Sequence, residues 1–369
     1  MKGLYFNPVF YPNGSGVAKK IYSQIKAFKS HGVDMEYARV AQLSNGEYGM
    51  VLGDTAIYTY RQGIVGKLHR LTKSYRVLLS AIREQCFEFI YYRYDNAMNP
   101  FVVWFLYKLK QAGIKVVVEI PTYPYDGETK PSIGKLIDQL TRRWGAGFFD
   151  YIATFSMLPV IWNTPAIRIS NGVDLDAIPV RTQKHHPGQF IMVSVAQLNV
   201  WHGIDRLVRG MAEYYAATPS VEVKLYVISG ENSPALVRIK QLVNDLNLSD
   251  AVYFEGAKYD NQLDEYFDNC DIAIGSLGRH RNGIKTLKTL KNVEYAARGV
   301  PFIYSEENPD FDARPYVLKC QANESNIDID KCIRFAKSLN LSSSDIRSTV
   351  DNLDWKSQIG IVLSRLRGK

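Results

Sequence analysis

Two runs of alternating apolar strands and amphipathic helices, one on each side of the turn SNGVDLDAIPV at 170–180, constrain this chain more than any other feature. In the first run, GLYFNP (3–8), VDMEYARV (33–40), FEFIYYRY (87–94), IKVVVEIP (114–121), FDYIATFS (149–156) and AIRIS (166–170) read as strands. Helical spacing of Val17, Ile21, Ile25 and Phe28 predicts a helix over 17–32, with Gly32 as its C-cap, and 99–113 predicts another. The second run opens on FIMVSVAQL (190–198), a near-continuous apolar strand of the kind buried in a parallel sheet. It continues with strands at 223–230, 251–256, 270–276 and 300–305, each separated from the next by a helical stretch. Alternation of this kind implies parallel sheets with helical crossovers. The expectation is an α/β chain of two Rossmann-like, doubly wound domains, 1–178 and 179–353, joined by the polar linker IPVRTQKHHPGQ (178–189). A terminal helix at 354–369 carries the stripe Trp355, Ile359, Val362 and Leu366. Ligands of such sheets bind at the carboxyl ends of the strands, so the cleft between two of them is the expected site.

Charge is unevenly spread. Residues 1–178 hold 21 Lys+Arg against 14 Asp+Glu, and residues 179–369 hold 24 against 23. A basic first half suits an anionic partner, or serves solubility alone. RQGIVGKLHRLTKSYRVLLSAIRE (61–84) reads as one basic amphipathic helix, fitted either to an anionic membrane surface or to its own sheet. The longest apolar run, 101–107, is far too short to span a bilayer, and the N-terminal residues lack the apolar core of a secretory signal. The four cysteines show no metal-like spacing. A cytoplasmic protein with reduced thiols is expected, either free or peripheral on the inner face of the plasma membrane.

Four stretches carry candidate chemistry. NGSG (13–16) lies between a strand and a helix, where Gly14, Ser15 and Gly16 let backbone approach a ligand and offer N–H groups to an anion; a plain turn reads equally well. RHRNGIKTLKTLKNVEYAARG (279–299) follows a strand and concentrates Arg279, His280, Arg281, Lys285, Lys288 and Lys291 before its first acid, Glu294. Cations leading into a helix N-terminus suit phosphates, and Glu294, one turn on, suits ribose hydroxyls; a solvated basic loop is the alternative. NVWHGIDR (199–206) puts Trp201 and His202 in a loop at a strand's end, where the aromatic either packs in the core or serves a site and His202 is a donor to phosphate. YYRYDNAMNP (91–100) and EIPTYPYDGE (119–128), with Tyr94, Asp95, Glu119, Tyr123, Tyr125 and Asp126, read as loops for a polyhydroxylated acceptor or as structural turns. Basic residues here lack the aromatic interleaving of a nucleic-acid surface, so no nucleic-acid partner is expected.

Together NGSG, SNGVDLD, VSVAQLNVWHGIDRL and LKNVEYAARGVPFIYS resemble the retaining glycosyltransferases of family four, over essentially the whole chain. The likeness is closest to a bacterial surface-polysaccharide branch, of the capsular and exopolysaccharide kind. There EIPTYPYDGE, WHG and an LKxxEY helix recur, here at 119–128, 201–203 and 290–295. The resemblance implies the GT-B fold, with the first domain binding acceptor, the second binding a nucleotide-sugar, and the 354–369 helix crossing back to the first. It implies that Gly14, Ser15 and Gly16 face the donor pyrophosphate, that Lys291 lies near the phosphates or the transferred sugar, and that Glu294 binds the ribose. Gln197, Trp201, His202, Arg281, Leu290 and Asn292 complete the expected donor site, and Lys291, Arg281 and His202 are the expected catalytic groups. No metal or other cofactor is implied. Two departures stand out: Gln197 and His202 occupy the places of the family's usual Arg and Lys, and Thr286 stands where a paired acid is usual. The cations of 279–291, assisted by His202, are expected to replace that anchor.

The implied reaction moves a sugar from a nucleoside diphosphate, with uridine diphosphate expected, to a hydroxyl of a saccharide or polyprenyl-linked acceptor with retention. Cations fixed where the leaving group gains charge stabilise the transition state more than the ground state. The alternatives are a nucleotide-sugar epimerase of the same fold and a non-catalytic saccharide-binding partner of a transferase.

Overall fold

A computed structural model describes residues 1–12, 15–44, 46–61, 63–126, 132–230 and 233–368. The chain divides into two compact units, Met1–Ser170 with Trp355–Lys369, and Asn171–Asp354.

In the first unit the order is β1 (Lys2–Asn7), α1 (Gly16–Ser30), β2 (Asp34–Gln42), β3 (Tyr48–Leu52), β4 (Thr55–Tyr60), α2 (Ile64–Leu71), α3 (Lys73–Glu84), β5 (Phe89–Arg93), α4 (Pro100–Gln111), β6 (Lys115–Ile120), α5 (Ile133–Ala146), β7 (Tyr151–Thr154), β8 (Val160–Ile161) and β9 (Thr164–Arg168). They form one sheet in the order β4-β3-β2-β1-β5-β6-β7-β9-β8. The centre is parallel, with Tyr5 opposite Tyr37 on one side and Tyr91 on the other. Leu4, Phe6, Ile90, Tyr92, Val116, Val118 and Leu106 fill its core. Both edges depart from the parallel pattern: β3 and β4 form an antiparallel hairpin, and β8 runs antiparallel to β9. The hairpin turns at Gly53-Asp54, where Gly53 takes φ 59°, a left-handed conformation that glycine adopts without strain. Residues 61–84 are not one helix, as their stripe predicts. The helix is interrupted at Thr72 (φ −115°, ψ −70°); α3 buries Tyr75, Leu78, Leu79 and Ile82, and Leu71 at the end of α2 packs against the same core.

In the second unit follow β10 (Gln189–Val195), α6 (Ile204–Ala216), β11 (Glu222–Ile228), α7 (Pro234–Asp245), β12 (Val252–Phe254), α8 (Asp264–Asp268), β13 (Ile272–Ile274), α9 (Leu290–Ala297), β14 (Phe302–Tyr304), β15 (Val317–Lys319), α10 (Ile329–Ser338) and α11 (Ser343–Ser348). The six strands are ordered β12-β11-β10-β13-β14-β15, and every pair is parallel. Met192, Val193, Leu225, Ile272, Ala273 and Ile303 are fully buried, which explains the apolar runs in the sequence.

The stretch 171–178, expected at the end of the first domain, is held by the second unit. Asn171 donates to the Lys288 carbonyl at 2.5 Å, and Val173 N–H to Leu353 O at 3.1 Å. Arg347 donates to the carbonyls of Leu175 and Ile178 at 2.6 and 2.9 Å. The last helix, α12 (Trp355–Leu366), packs on α1 within the first unit. There Gln358 accepts the Ser170 N–H at 2.6 Å, and the Lys356 carbonyl meets His31 Nε2 at 2.8 Å.

Candidate functional site

After β10 the chain enters a single turn, Val200–His202, whose cap is Asn199. His202 is buried, and its Nδ1 accepts the Asn199 N–H at 2.9 Å. The neutral ring therefore carries its proton on Nε2, which is the nitrogen left to donate. Burial, then the positive charges of Lys291 and Arg279, push its pKa down to about 2, so it stays neutral at physiological pH. The carbonyls of Trp201 and His202 accept from Gly278 and Leu277 at 3.1 and 3.0 Å. Gly203 takes φ 63°, and a Cβ on it would lie 2.7 Å from the Leu277 carbonyl carbon. The WHG triplet is thus required first by the docking of this turn onto the loop after β13.

That loop leads into α9. Thr289 occupies the N-cap position, yet its side chain makes no capping bond, and the first turn holds no acid. Such a helix start offers unpaired N–H groups and the positive end of its dipole to an anion. Lys291 sits in that turn with its Nζ buried and without a hydrogen-bond partner. Burial lowers its pKa, against the pull of Glu306 and with the push of Arg279. Asn292 is wholly buried with both amide atoms unpartnered, as is the Thr289 hydroxyl. Glu306 and Asn308, on the segment after β14, are buried too; neither Glu306 oxygen and not the Asn308 Nδ2 has a partner. Glu294 lies half-buried on α9 and pairs at 3.4 Å with Arg298, which also binds Asp264 at 2.6 Å. Leu290 is partly buried at the helix start, and Gln197 is exposed beside Gly230.

The cations of 279–291 do not form one open strip. Arg281 donates to Asp205 at 2.8 and 2.7 Å, to Glu324 at 2.9 and 2.5 Å, and to the Val200 carbonyl at 2.9 Å. All its N–H groups being engaged, Arg281 ties three loops together instead of standing ready for a phosphate. His280 meets Glu324 at 2.5 Å, and Lys288 pairs with Asp310 at 3.0 Å. These acids lie far off in sequence, so local charge density overstated the free positive charge. Arg279 stacks over the Trp201 ring at 5.6 Å and bears electrostatically on Lys291, His202 and Glu306. Of the expected catalytic groups, the structure brings Lys291 and His202 together and turns Arg281 to architecture.

In the first unit Ser15 caps α1, its hydroxyl oxygen accepting the Ala18 N–H at 3.2 Å, and nothing lies within 4 Å of a Cβ on Gly16. Gly14 lies outside the described residues. Glu119 is no surface acceptor ligand. It is fully buried at the end of β6, and both oxygens are taken: Arg93 at 2.5 Å and Lys20 at 3.0 Å on one, Gln24 at 2.6 Å and Tyr91 at 2.7 Å on the other. Burial alone would raise its pKa, but Lys20 and Arg93 hold it down to about 2. Tyr94 and Tyr125 also turn inward. Both donate to Asp138, a buried acid of α5, Tyr125 at 2.7 Å, and Asp138 accepts the Met98 N–H at 2.9 Å as well. Asp126 is half-exposed and held by Arg142 at 2.9 and 3.0 Å, Tyr123 packs edge-on to Trp162, and Asp95 is half-buried with its pKa raised by burial to about 6. Thus Glu119, Tyr94 and Tyr125 build the loops expected to meet an acceptor, while Asp95, Tyr123 and Asp126 remain partly accessible on them. Among the described residues no group of three or more His, Cys, Asp or Glu side chains is placed to hold a metal ion.

Two Rossmann-like α/β units are the architecture of the GT-B fold. Residues 180–309 match the family described as glycosyl transferases group 1, and this match supports transferase activity. Sucrose-phosphate synthase from Thermosynechococcus elongatus has a similar fold, with a TM-score of 0.72, 14% identity and coverage of 100% of this chain and 99% of that one. So has a glycosyltransferase from Rickettsia africae, at 0.69 and 13% identity over 100% and 98% of the two chains. Anabaena HepE, solved in complex with UDP-glucose, aligns at 0.64 and 14% identity over 99% and 100%. No curated protein sequence matches the chain.

Proposed function

We propose that this protein is a retaining glycosyltransferase of family four, of the surface-polysaccharide branch, which moves a sugar from a UDP-sugar to a hydroxyl of a saccharide or lipid-linked saccharide. The observation that carries the proposal is Lys291: a buried ammonium without a partner, in the uncapped first turn of α9, beside a neutral imidazole. A buried unpaired cation is costly unless a ligand supplies the counter-charge. A diphosphate does so, and gains charge as its bond to the sugar breaks, so Lys291 and the α9 N–H groups favour the transition state. The His202 Nε2–H adds a neutral donor. Glu294, one turn along α9, suits the ribose hydroxyls. HepE holding UDP-glucose supports a uridine nucleotide here. Phosphate charge is met by these groups, and no metal is called for. Same-face attack by the acceptor hydroxyl, with the leaving phosphate taking its proton, is the route that fits.

An acceptor carried on a membrane is supported by charge and by α5. The first unit holds 25 Lys+Arg against 12 Asp+Glu, net +13, whereas the second holds 20 against 25, net −5. Helix α5 is inverted: Asp138 faces the interior while Ile133, Leu136, Leu140 and Trp144 are exposed, Leu140 by 72%. In α2, within 61–84, Val65 and Leu68 are likewise exposed. No helix among the described residues is long and apolar enough to cross a membrane. A thermal-shift panel of UDP, GDP and ADP tests the donor assignment. UDP at 100 times its Kd should add about 2.7 kcal/mol of stability, and Glu294→Ala should lose most of it. No shift with any nucleotide would favour the non-catalytic partner, and conversion of a nucleotide-sugar without acceptor would favour the epimerase.

A further inference from the structure

Among the described residues around the start of α9, six that make no side-chain ion pair carry buried side-chain polar atoms with no hydrogen-bond partner: Ser276, Thr289, Lys291, Asn292, Glu306 and Asn308. They come from the loop after β13, the first turn of α9 and the segment after β14, all at the carboxyl ends of neighbouring strands. Buried polar groups are nearly always paired, and each left unpaired destabilises the fold, so a cluster of them marks a ligand site. Within it Glu306 stands apart. It is 2% exposed, it is the only acid of the six, and neither oxygen is used. Burial raises its pKa, opposed by Arg279, Lys291 and Lys319, yet it closes into no ion pair with Lys291, whose Nζ is also unpartnered.

The backbone explains how an acid comes to be there. Residues 285–287 run beside 306–307, with Glu307 N–H donating to Lys285 O at 2.8 Å and Leu287 N–H to Glu307 O at 2.9 Å. Thr286, where the resembling family carries an acid, donates its hydroxyl to Glu307 at 2.7 Å. Neighbouring side chains on an extended segment face opposite ways, so Glu307 points outward to Thr286 and Glu306 inward. The inward-facing carboxylate of this two-segment ribbon thus stands at 306, and position 286 carries a hydroxyl.

We propose that Glu306 accepts hydrogen bonds from hydroxyls of the sugar carried by the donor, as a specificity-determining residue that replaces the acid absent at Thr286. The proposal rests on the donor site proposed above. An ionised carboxylate offers acceptors only and repels a diphosphate, so it belongs on the sugar side of the site and Lys291 on the phosphate side. Sugar hydroxyls are the matching donors.

The test measures binding of UDP, UDP-glucose, UDP-galactose and UDP-N-acetylglucosamine to the wild type, Glu306→Gln and Glu306→Asp, by calorimetry. In the wild type one UDP-sugar should bind more tightly than UDP. Glu306→Gln should bind UDP within about twofold of wild type, lose at least about tenfold in affinity for that UDP-sugar, and no longer rank the three sugars as the wild type does; Glu306→Asp should restore part of the ranking. The ligand-free Tm of Glu306→Gln should stay close to that of the wild type, whereas a purely structural carboxylate would lower it. Unchanged sugar affinity and ranking in Glu306→Gln, with UDP still bound, overturns the proposal alone. Absence of UDP binding in the wild type overturns the donor site as well.

Discussion

Lys291 and Glu119 are two buried charges with opposite fates. Glu119 has both oxygens engaged and two cations beside it, so its charge belongs to the fold. Glu119→Gln should therefore destabilise the first unit by about 3–5 kcal/mol, measured by urea denaturation, because Arg93 and Lys20 lose their counter-charge. Its depressed pKa sets the acid limit too. The stability it contributes is complete above about 4.5 and is lost as pH falls towards about 2, so the urea midpoint should drop over that window, less steeply in Glu119→Gln. Lys291 has no partner, and its charge belongs to the ligand. Lys291→Ala should lower kcat on the order of 10²–10³-fold while the protein stays folded. Burial lowers its pKa in the free protein, so binding a diphosphate at alkaline pH must take up a proton. Nucleotide affinity should fall as pH rises from neutral into the alkaline range, and this slope should be smaller in Lys291→Ala, where only Glu306 still titrates with the site. Glu119 read as a ligand and Arg281 as a catalyst because sequence shows the charge of a residue and not its partner; Asp205, Glu324, Lys20 and Arg93 are all distant along the chain.

Helices α9 and α5 show what periodicity can and cannot convey. The cations and Glu294 placed α9 correctly at a strand's carboxyl end, since an apolar strand followed by a basic loop and a short helix has few other readings. Glu306 carried a comparable signal, an acid directly after the apolar VPFIYS, but burial of its side chain depends on the pairing of 285–287 with 306–307. Helix α5 reverses the usual rule, because Asp138 is satisfied by Tyr94, Tyr125 and the Met98 N–H and so can face inward. Its exposed stripe is then left for another surface. Vesicle flotation should show the protein rising with anionic vesicles at low salt and not with neutral ones, and Leu140→Glu should abolish this without lowering Tm. Equal flotation of Leu140→Glu would count against α5 as the contact.

Over the full chain the decisive quantity is the division of charge, +13 on one unit and −5 on the other. The split by halves of the sequence understates it, because Trp355–Lys369, with four cations and no acid, belongs to the first unit, and Asp174 and Asp176 belong to the second. Association with an anionic surface should therefore weaken steeply between about 0.05 and about 0.5 M salt, as the screening length shortens to a few ångströms. A chain shortened to end at Asp354 should lose both affinity and stability, since Trp355, Ile359, Val362, Leu363 and Leu366 are all buried. Flotation that is unaffected by salt would show the attachment to be apolar and not electrostatic.

The α/β class, the two parallel sheets and the position of α9 could be read from residue order alone, because strand burial and helical periodicity are local patterns that survive without knowledge of contacts. The hairpin of β3 and β4, the break at Thr72, the engagement of Arg281 and the burial of Glu306 emerged only once the chain was folded. Each depends on which distant group lies opposite, and a charge or a glycine acquires its role from that neighbour.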